Sequence, residues 1–305
     1  MGGLITTLGR ELSAADELFR IARWPAARNA FEGLVERAQE RSDPSVEVVA
    51  RSMLSRCLLA QQDVETAFTS LELARSRLPL ASGEARLRWR AARVRVLGAL
   101  GEASIEELKL YFSDAEDQQE WVALIDAARL LADAQPDSRI DWLERALHFA
   151  QEHCPAEVGP VARGLAFALE AEERFDAAIA AWHAAWDALQ ALDSPVRERI
   201  MASWAIGSLS CRAEDWPAAF EWLETCLQDA GDNEDCGDVV ALTLADLARA
   251  HEAAGDVIEA RRVLIRALNK GRDYDLASLW PARWDAIVVH ARTLDLDPYE
   301  VIRRS

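Results

Sequence analysis

The sequence predicts an all-α solenoid of about seven antiparallel helix pairs, ended by a C-terminal capping helix. Three observations carry that prediction. Apolar residues recur three and four positions apart in segment after segment, as on one face of a helix with 3.6 residues per turn. Between Val161 and Gln190 the small residues Ala166, Ala178 and Ala185 alternate with the large ones Leu165, Leu169, Phe175 and Trp182. The same alternation then returns, with Ala178, Ala219 and Ala260 spaced 41 residues apart both times. Helices that cross at roughly 8–10 Å need a small residue on one side and a large one on the other to fill the groove. A repeat of this kind is the mark of an array in which each unit is covered only by its neighbours.

The first pair spans about 9–40, with Trp24, Ala27 and Phe31 in its second helix and Pro25 in the first turn, where proline is tolerated. Ser42-Asp43-Pro44 ends it. The second pair, 45–79, carries Leu54, Leu58, Val64, Ala67, Leu71 and Ala74 and stops at Pro79. In the third, 84–113, the run EARLRWRAARVRV puts Leu87 and Val94 on one flank of a helix and Trp89 and Val96 on another. Arg88 and Arg95 then share one exposed strip, and Arg86, Arg90 and Arg93 the opposite one. A helix buried on two flanks is what an internal repeat requires. The third pair and the fourth, 121–150, are poorer copies, with Glu106 and Arg139 where alanine is expected. The fifth, 160–192, is the clearest. The sixth, 199–230, has Ile206 and Gly207 in place of Leu165 and Ala166, followed by Trp216, Ala219, Leu223 and Cys226, and repeats the WPAA of the first pair at 216–219. The seventh, 239–270, has Leu247, Ala248, Val257, Ala260, Leu264 and Ala267. A cap over 275–305 contains Trp280, Trp284 and Ile287. The breaks between pairs are too short for flexible linkers, so a single superhelical domain over 1–305 is expected.

Composition narrows the function classes. The chain has 305 residues and a net charge of −18, which opposes general nucleic-acid binding because a duplex would be repelled. No run of eighteen apolar residues and no secretory leader is visible, so no membrane partner and a cytoplasmic location are expected. The opening Met-Gly-Gly-Leu-Ile-Thr fits the loose myristoylation pattern, but a single acyl chain anchors only marginally. Five cysteines, without paired close spacing, suit small packing groups in a reducing compartment. His251-Glu252 begins like H-E-x-x-H, but Gly255 stands where the second histidine is needed. His148, His153 and Cys154 fall short of the three or four converging ligands a metal requires. The acidic loop 232–237 resembles a calcium loop, yet Cys236 and Thr243 replace oxygen ligands. Phosphate loops and nucleophile elbows are missing. No catalytic residue, metal or cofactor is expected, and enzyme activity is only a residual reading.

The alternating small and large positions over about 9–270 resemble tetratricopeptide repeats, in a variant with about 40 residues per repeat against the usual 34. The resemblance implies that the first helix of each pair lines a concave face on which a client lies. Carried over residue by residue, that inner strip holds Arg56 in the second pair, Arg88 and Arg95 in the third, Arg163 and Phe167 in the fifth, Trp204 and Arg212 in the sixth and Arg249 in the seventh. Arginine's planar fork suits a carboxylate, so an acidic peptide or protein partner is expected. The same arginines could instead pair with carboxylates such as Glu170 and Glu252. The Lys and Asn clamp of chaperone-binding members is absent. The expected function is therefore a non-enzymatic adaptor or scaffold that holds a peptide or partner protein in an open groove. The alternative is a regulatory sensor with a closed recess of roughly a few hundred Å³ lined by Trp204 and Phe167. Among the eleven tryptophans, Trp24, Trp182, Trp204 and Trp216 fall at repeat positions and are expected in the core or groove wall, whereas Trp186 and Trp222 on second helices would, if contiguous and exposed, mark a partner or self-association surface.

Overall fold

The computed structural model describes residues 7–192, 194–231 and 233–304. The myristoylation-like opening, Asp193 and Asp232 of the acidic loop lie outside them. The described residues contain helices and turns and no strand, and they gather into two compact units, 1–149 and 150–305. The first unit comprises α1 (Thr7–Arg20), α2 (Trp24–Glu40), α3 (Pro44–Ala60), α4 (Val64–Arg75), α5 (Gly83–Leu100), α6 (Ile105–Asp117), α7 (Trp121–Ala134) and most of α8 (Arg139–His153). The second comprises α9 (Pro155–Ala171), α10 (Phe175–Ala191), α11 (Val196–Arg212), α12 (Trp216–Ala230), α13 (Gly237–Ala253), α14 (Val257–Asp273), α15 (Leu276–Leu279), α16 (Pro281–Thr293) and α17 (Pro298–Arg304).

One local device makes most of the hairpins. Where a helix ends, the chain passes through a single left-handed residue, as at Gln62, Glu173, Glu214 and Gly255. The next N–H then reaches back to an orphan carbonyl of the last turn, as Asp63 does to Leu58 and Asp215 to Ser210, both at 2.9 Å. That same residue caps the next helix: Asp63 accepts from the Thr66 N–H and Asp215 from the Ala218 N–H, each at 3.2 Å. Three residues thus close one helix and open its antiparallel partner.

The small positions lie where the helices press together. Ala27, Ala67, Ala178, Ala219 and Ala260 are fully buried, and so are the large residues that fill the facing grooves, among them Phe31, Leu71, Leu223 and Leu264. Gly207 marks the tightest of these approaches: a Cβ there would sit 2.7 Å from the Leu223 side chain and 3.1 Å from its backbone nitrogen. Central α11 and α13 are buried on almost every side, and their small polar residues satisfy themselves within the helix. Ser210, for example, donates to the Ile206 carbonyl at 2.9 Å and Thr243 to that of Val239 at 2.8 Å.

The poorer copies pack differently. Four residues past the capping Ser104, where Ala67 stands past Asp63, α6 buries Leu108 and leaves the expected anchor Glu106 exposed, and α8 buries Leu143 one turn past Arg139. A leucine cannot be approached as closely as an alanine, and α6 lies mainly against α7 rather than against its hairpin partner α5. Leu87, Trp89, Val94 and Val96 bury two flanks of α5, and its arginines tie it to the surrounding helices. Arg90 pairs with Asp114, and Arg93 with Glu72 at 2.9 Å and Glu107 at 3.3 Å.

Candidate functional site

In the first unit the inner-strip arginines are taken up by the fold. Arg88 reaches Asp16 at 2.9 Å and Glu84 at 3.3 Å. Arg95 pairs with Asp126 of α7 and donates to the Ala91 carbonyl at 2.7 Å, while the Tyr111 hydroxyl donates to the other Asp126 oxygen at 3.0 Å. Burial opposes the charge on Arg95, but Asp126 and Tyr111 outweigh it and hold the guanidinium above its ordinary pKa. Arg56 has no carboxylate within ion-pair distance among the described residues; its guanidinium lies 4.8 Å from the Phe19 ring centroid. Burial lowers its pKa, and the nearby Arg95 lowers it further.

In the second unit α9, α11 and α13 lie side by side and carry the other predicted residues. Arg163 and Phe167, one turn apart on α9, are both exposed, and Arg163 makes no ion pair among the described residues. Phe167 keeps 52% of its surface accessible although its ring packs edge-on against buried Trp182 at 5.2 Å. The two residues line a cleft of about 660 Å³ with Trp182, Leu189, Pro195 and Met201. Phe167 and Met201 also border a recess of about 280 Å³ shared with Trp204, Trp280 and Arg283. The recess therefore joins two residues that the sequence placed together, Phe167 and Trp204.

The remaining three are engaged. Trp204 is only 6% exposed, and its indole N–H donates to Asp246 at 3.1 Å. Arg212 pairs with Glu170 and stacks 4.4 Å above Phe175. Arg249 approaches Asp246 at 3.6 Å, while Glu252 is taken by His290 at 2.8 Å. Pairing with neighbouring carboxylates thus accounts for Arg88, Arg95, Arg212 and Arg249, and leaves Arg163 as the exposed, unneutralised arginine of the strip.

Residues the sequence reading passed over come from the cap. Besides packing on α14, α16 and the residue before it reach across to the first helices. Trp280 donates to Asp238 at 3.2 Å and Arg283 lies 5.3 Å above the Trp204 ring. Asp238 also holds Arg197 in a fork at 2.8 and 2.9 Å; its burial raises the carboxyl pKa, but the hydrogen bonds from Arg197 and Trp280 prevail and leave it below the ordinary range. On the opposite helices Trp186 and Trp222 are half-buried against one another, 5.2 Å apart and edge-on, with His183 beside Trp222. Among the described residues no three His, Cys, Asp or Glu side chains converge as metal ligands, and no helix is long and apolar enough to cross a membrane.

No family model and no curated protein matches this sequence. Among solved structures, the apo form of RapI aligns over 81% of this chain and 98% of its own at 10% identity and a TM-score of 0.53. BtubC (BKLC) from P. vanneervenii aligns over 88% and 93% at 17% identity and a TM-score of 0.43, and a Rap protein complexed with Competence and Sporulation Factor over 94% and 98% at 9% and 0.46. At such identities the likeness is one of fold. The chain has the tetratricopeptide-like architecture of consecutive helix pairs.

Proposed function

We propose that this protein is a non-enzymatic adaptor that holds a peptide or a segment of a partner protein against the first-helix face of its second unit. One observation carries this reading: Arg163 and Phe167 stand exposed one turn apart on a largely apolar cleft whose other charged lining residues are Arg197 and Glu198, while Arg212 and Arg249 of the same face are paired. An exposed aromatic beside an unpaired guanidinium fits a bulky apolar side chain next to a carboxylate. The partner is therefore an acidic peptide, held in a reducing cytoplasm that suits five free cysteines.

Selection from a displayed random-peptide library tests it. The wild type should enrich sequences with an acidic residue next to a large apolar one. Arg163→Glu should weaken those peptides by about tenfold or more, as expected for loss of a charge-assisted contact, and Phe167→Ala should do likewise. Enrichment of nothing, or equal binding by all three proteins, would refute the reading. A second reading, a sensor for a short peptide or small ligand, is favoured by the recess of about 280 Å³ between Phe167 and Trp204. On that reading Trp280→Ala, which alters the recess and not the cleft, should weaken the small ligand while library peptides still bind at Arg163.

A further inference from the structure

A separate trough lies between α13 and α16. Its volume is about 560 Å³, within the range of ligand sites, and its walls are chiefly apolar: Leu242, Ala245 and Ala253 from α13, and Ala286, Ile287 and Val289 from α16. The two helices run in the same direction, because Trp280 meets Asp238 near their starts and His290 meets Glu252 near their ends. From Leu242 to Ala253 the wall is about 16 Å long at 1.5 Å per residue.

The formal charges on the lining balance, two carboxylates against two arginines, but they do not all pair locally. Asp246 accepts from Trp204 and faces Arg249, and Glu252 is held by His290. Arg283, at the α16 start, has no carboxylate partner among the described residues and is half-buried with its guanidinium over Trp204. An unneutralised, partly desolvated guanidinium at one end of a trough with chiefly apolar walls calls for an anion attached to a hydrocarbon tail.

We infer that the trough binds a linear acyl carboxylate, with its head group on Arg283 and its chain running along α13 and α16 towards Thr293. A peptide fits less well. The wall's other polar side chains are already paired with one another, so the amides of a peptide lying in the trough would lose water without gaining partners. An acyl acid has only its carboxylate to satisfy. A cationic amphiphile is opposed by Arg283 itself. Arg163 and Phe167 do not line this trough, although Arg283 also borders the neighbouring recess beside Phe167.

Titration calorimetry with decanoate, decanol, decylamine and N-acetyl-trileucine tests the inference on the full chain. Decanoate should bind saturably at one site, and decylamine and the tripeptide should bind much more weakly. Arg283→Gln should weaken decanoate by about tenfold while leaving decanol unchanged, as expected for one charge-assisted pair. Arg283→Lys should restore part of the loss. Ala286→Phe, at an exposed position on the wall, should weaken decanoate and decanol together, and Arg163→Glu should affect neither. Non-saturable uptake of decanoate, equal binding of decylamine or of the tripeptide, or an unchanged affinity in Arg283→Gln would each overturn it. Failure here with intact peptide selection at Arg163 would leave the adaptor reading standing.

Discussion

Gly207→Ala should destabilise the protein although alanine is the better helix former. In a helix interior the exchange gains about 1 kcal/mol from propensity alone. At position 207 the added methyl would lie 2.7 Å from Leu223 Cγ, 2.8 Å from its Cδ2 and 3.1 Å from its backbone nitrogen. A rotamer change could move the first two atoms away, but the third is main chain, so α12 itself must back off from α11. Overpacking of that kind costs about 1–3 kcal/mol, which offsets the propensity gain and leaves a net loss of up to about 2 kcal/mol, about 1 kcal/mol at the middle of the range. Gly98→Ala in α5 is the matched control. It too is a helical glycine, but a Cβ there meets nothing within 4 Å, so the propensity gain of about 1 kcal/mol should appear undiminished. The two variants should move the urea midpoint in opposite directions at unchanged slope. Leu223→Ala in the Gly207→Ala background should cost less than Leu223→Ala alone, with a coupling of about 0.5–3 kcal/mol. Equal stabilisation by Gly98→Ala and Gly207→Ala would refute the close approach on which the small and large alternation rests.

Gly255→Ala should cost about 1 kcal/mol in the same assay, because φ is +83° and nothing within 4 Å crowds the site, so only the left-handed backbone penalises the methyl. Asp215→Ala removes the cap on Ala218 and should cost about 1 kcal/mol, and Asp215→Asn should recover most of it. Burial pushes the Cys57 and Cys226 thiols up to about 11 and Cys211 up to about 12. Since the folded state binds these protons more tightly than the unfolded one, their contribution is complete below the ordinary thiol value of 9.0 and is lost as pH rises from there towards 12. Urea midpoints should therefore fall over that window, and a Cys57→Ser, Cys211→Ser, Cys226→Ser variant should show a shallower fall.

The helical repeat and its alanine anchors outside α6 and α8 were legible in the sequence because they follow from side-chain size at helical spacing, which no distant residue can alter. Ala178, Ala219 and Ala260 are buried where their spacing puts them. Inner-strip chemistry was legible only in part, since burial and pairing depend on the adjacent hairpin. Phe167 and Trp204 border one recess, but nothing within α11 alone shows that Trp204 is covered. One available signal went unused. Residues about one period apart sit side by side on neighbouring first helices: Glu170 with Arg212, Trp204 with Asp246 and Asp238 with Trp280, each 42 positions apart. Reading acidic residues one period away from basic or indole groups would have paired these residues and extended the strip to Trp280. In the middle of the first unit that rule fails, because α6 carries Leu108 where the other second helices carry the alanine that sets the period.

The one-period rule holds in the second unit and not around α5, and the two units use arginine differently. In the first, α5 brings five arginines into a single helix, and neighbouring helices answer Arg88, Arg90, Arg93 and Arg95 with Asp16, Asp114, Glu72, Glu107 and Asp126. Those partly buried pairs fix how α5 lies among α1, α4, α6 and α7, and removing one partner leaves a charge without its counterpart. Asp126→Asn should therefore destabilise the protein more than Glu72→Gln, because Asp126 also accepts from Tyr111 and supports Arg95, whereas Arg93 retains Glu107 when Glu72 is lost. In the second unit the position one period beyond Arg163 is Ala205, and the position one period before Arg283 is Ala241, so neither arginine meets a carboxylate on the adjacent helix. What distinguishes Arg163 and Arg283 is thus the small residue opposite each of them. Introducing Ala205→Glu should supply the missing carboxylate to Arg163 and suppress acidic-peptide capture without altering the arginine itself, a result that simple loss of a surface charge would not produce.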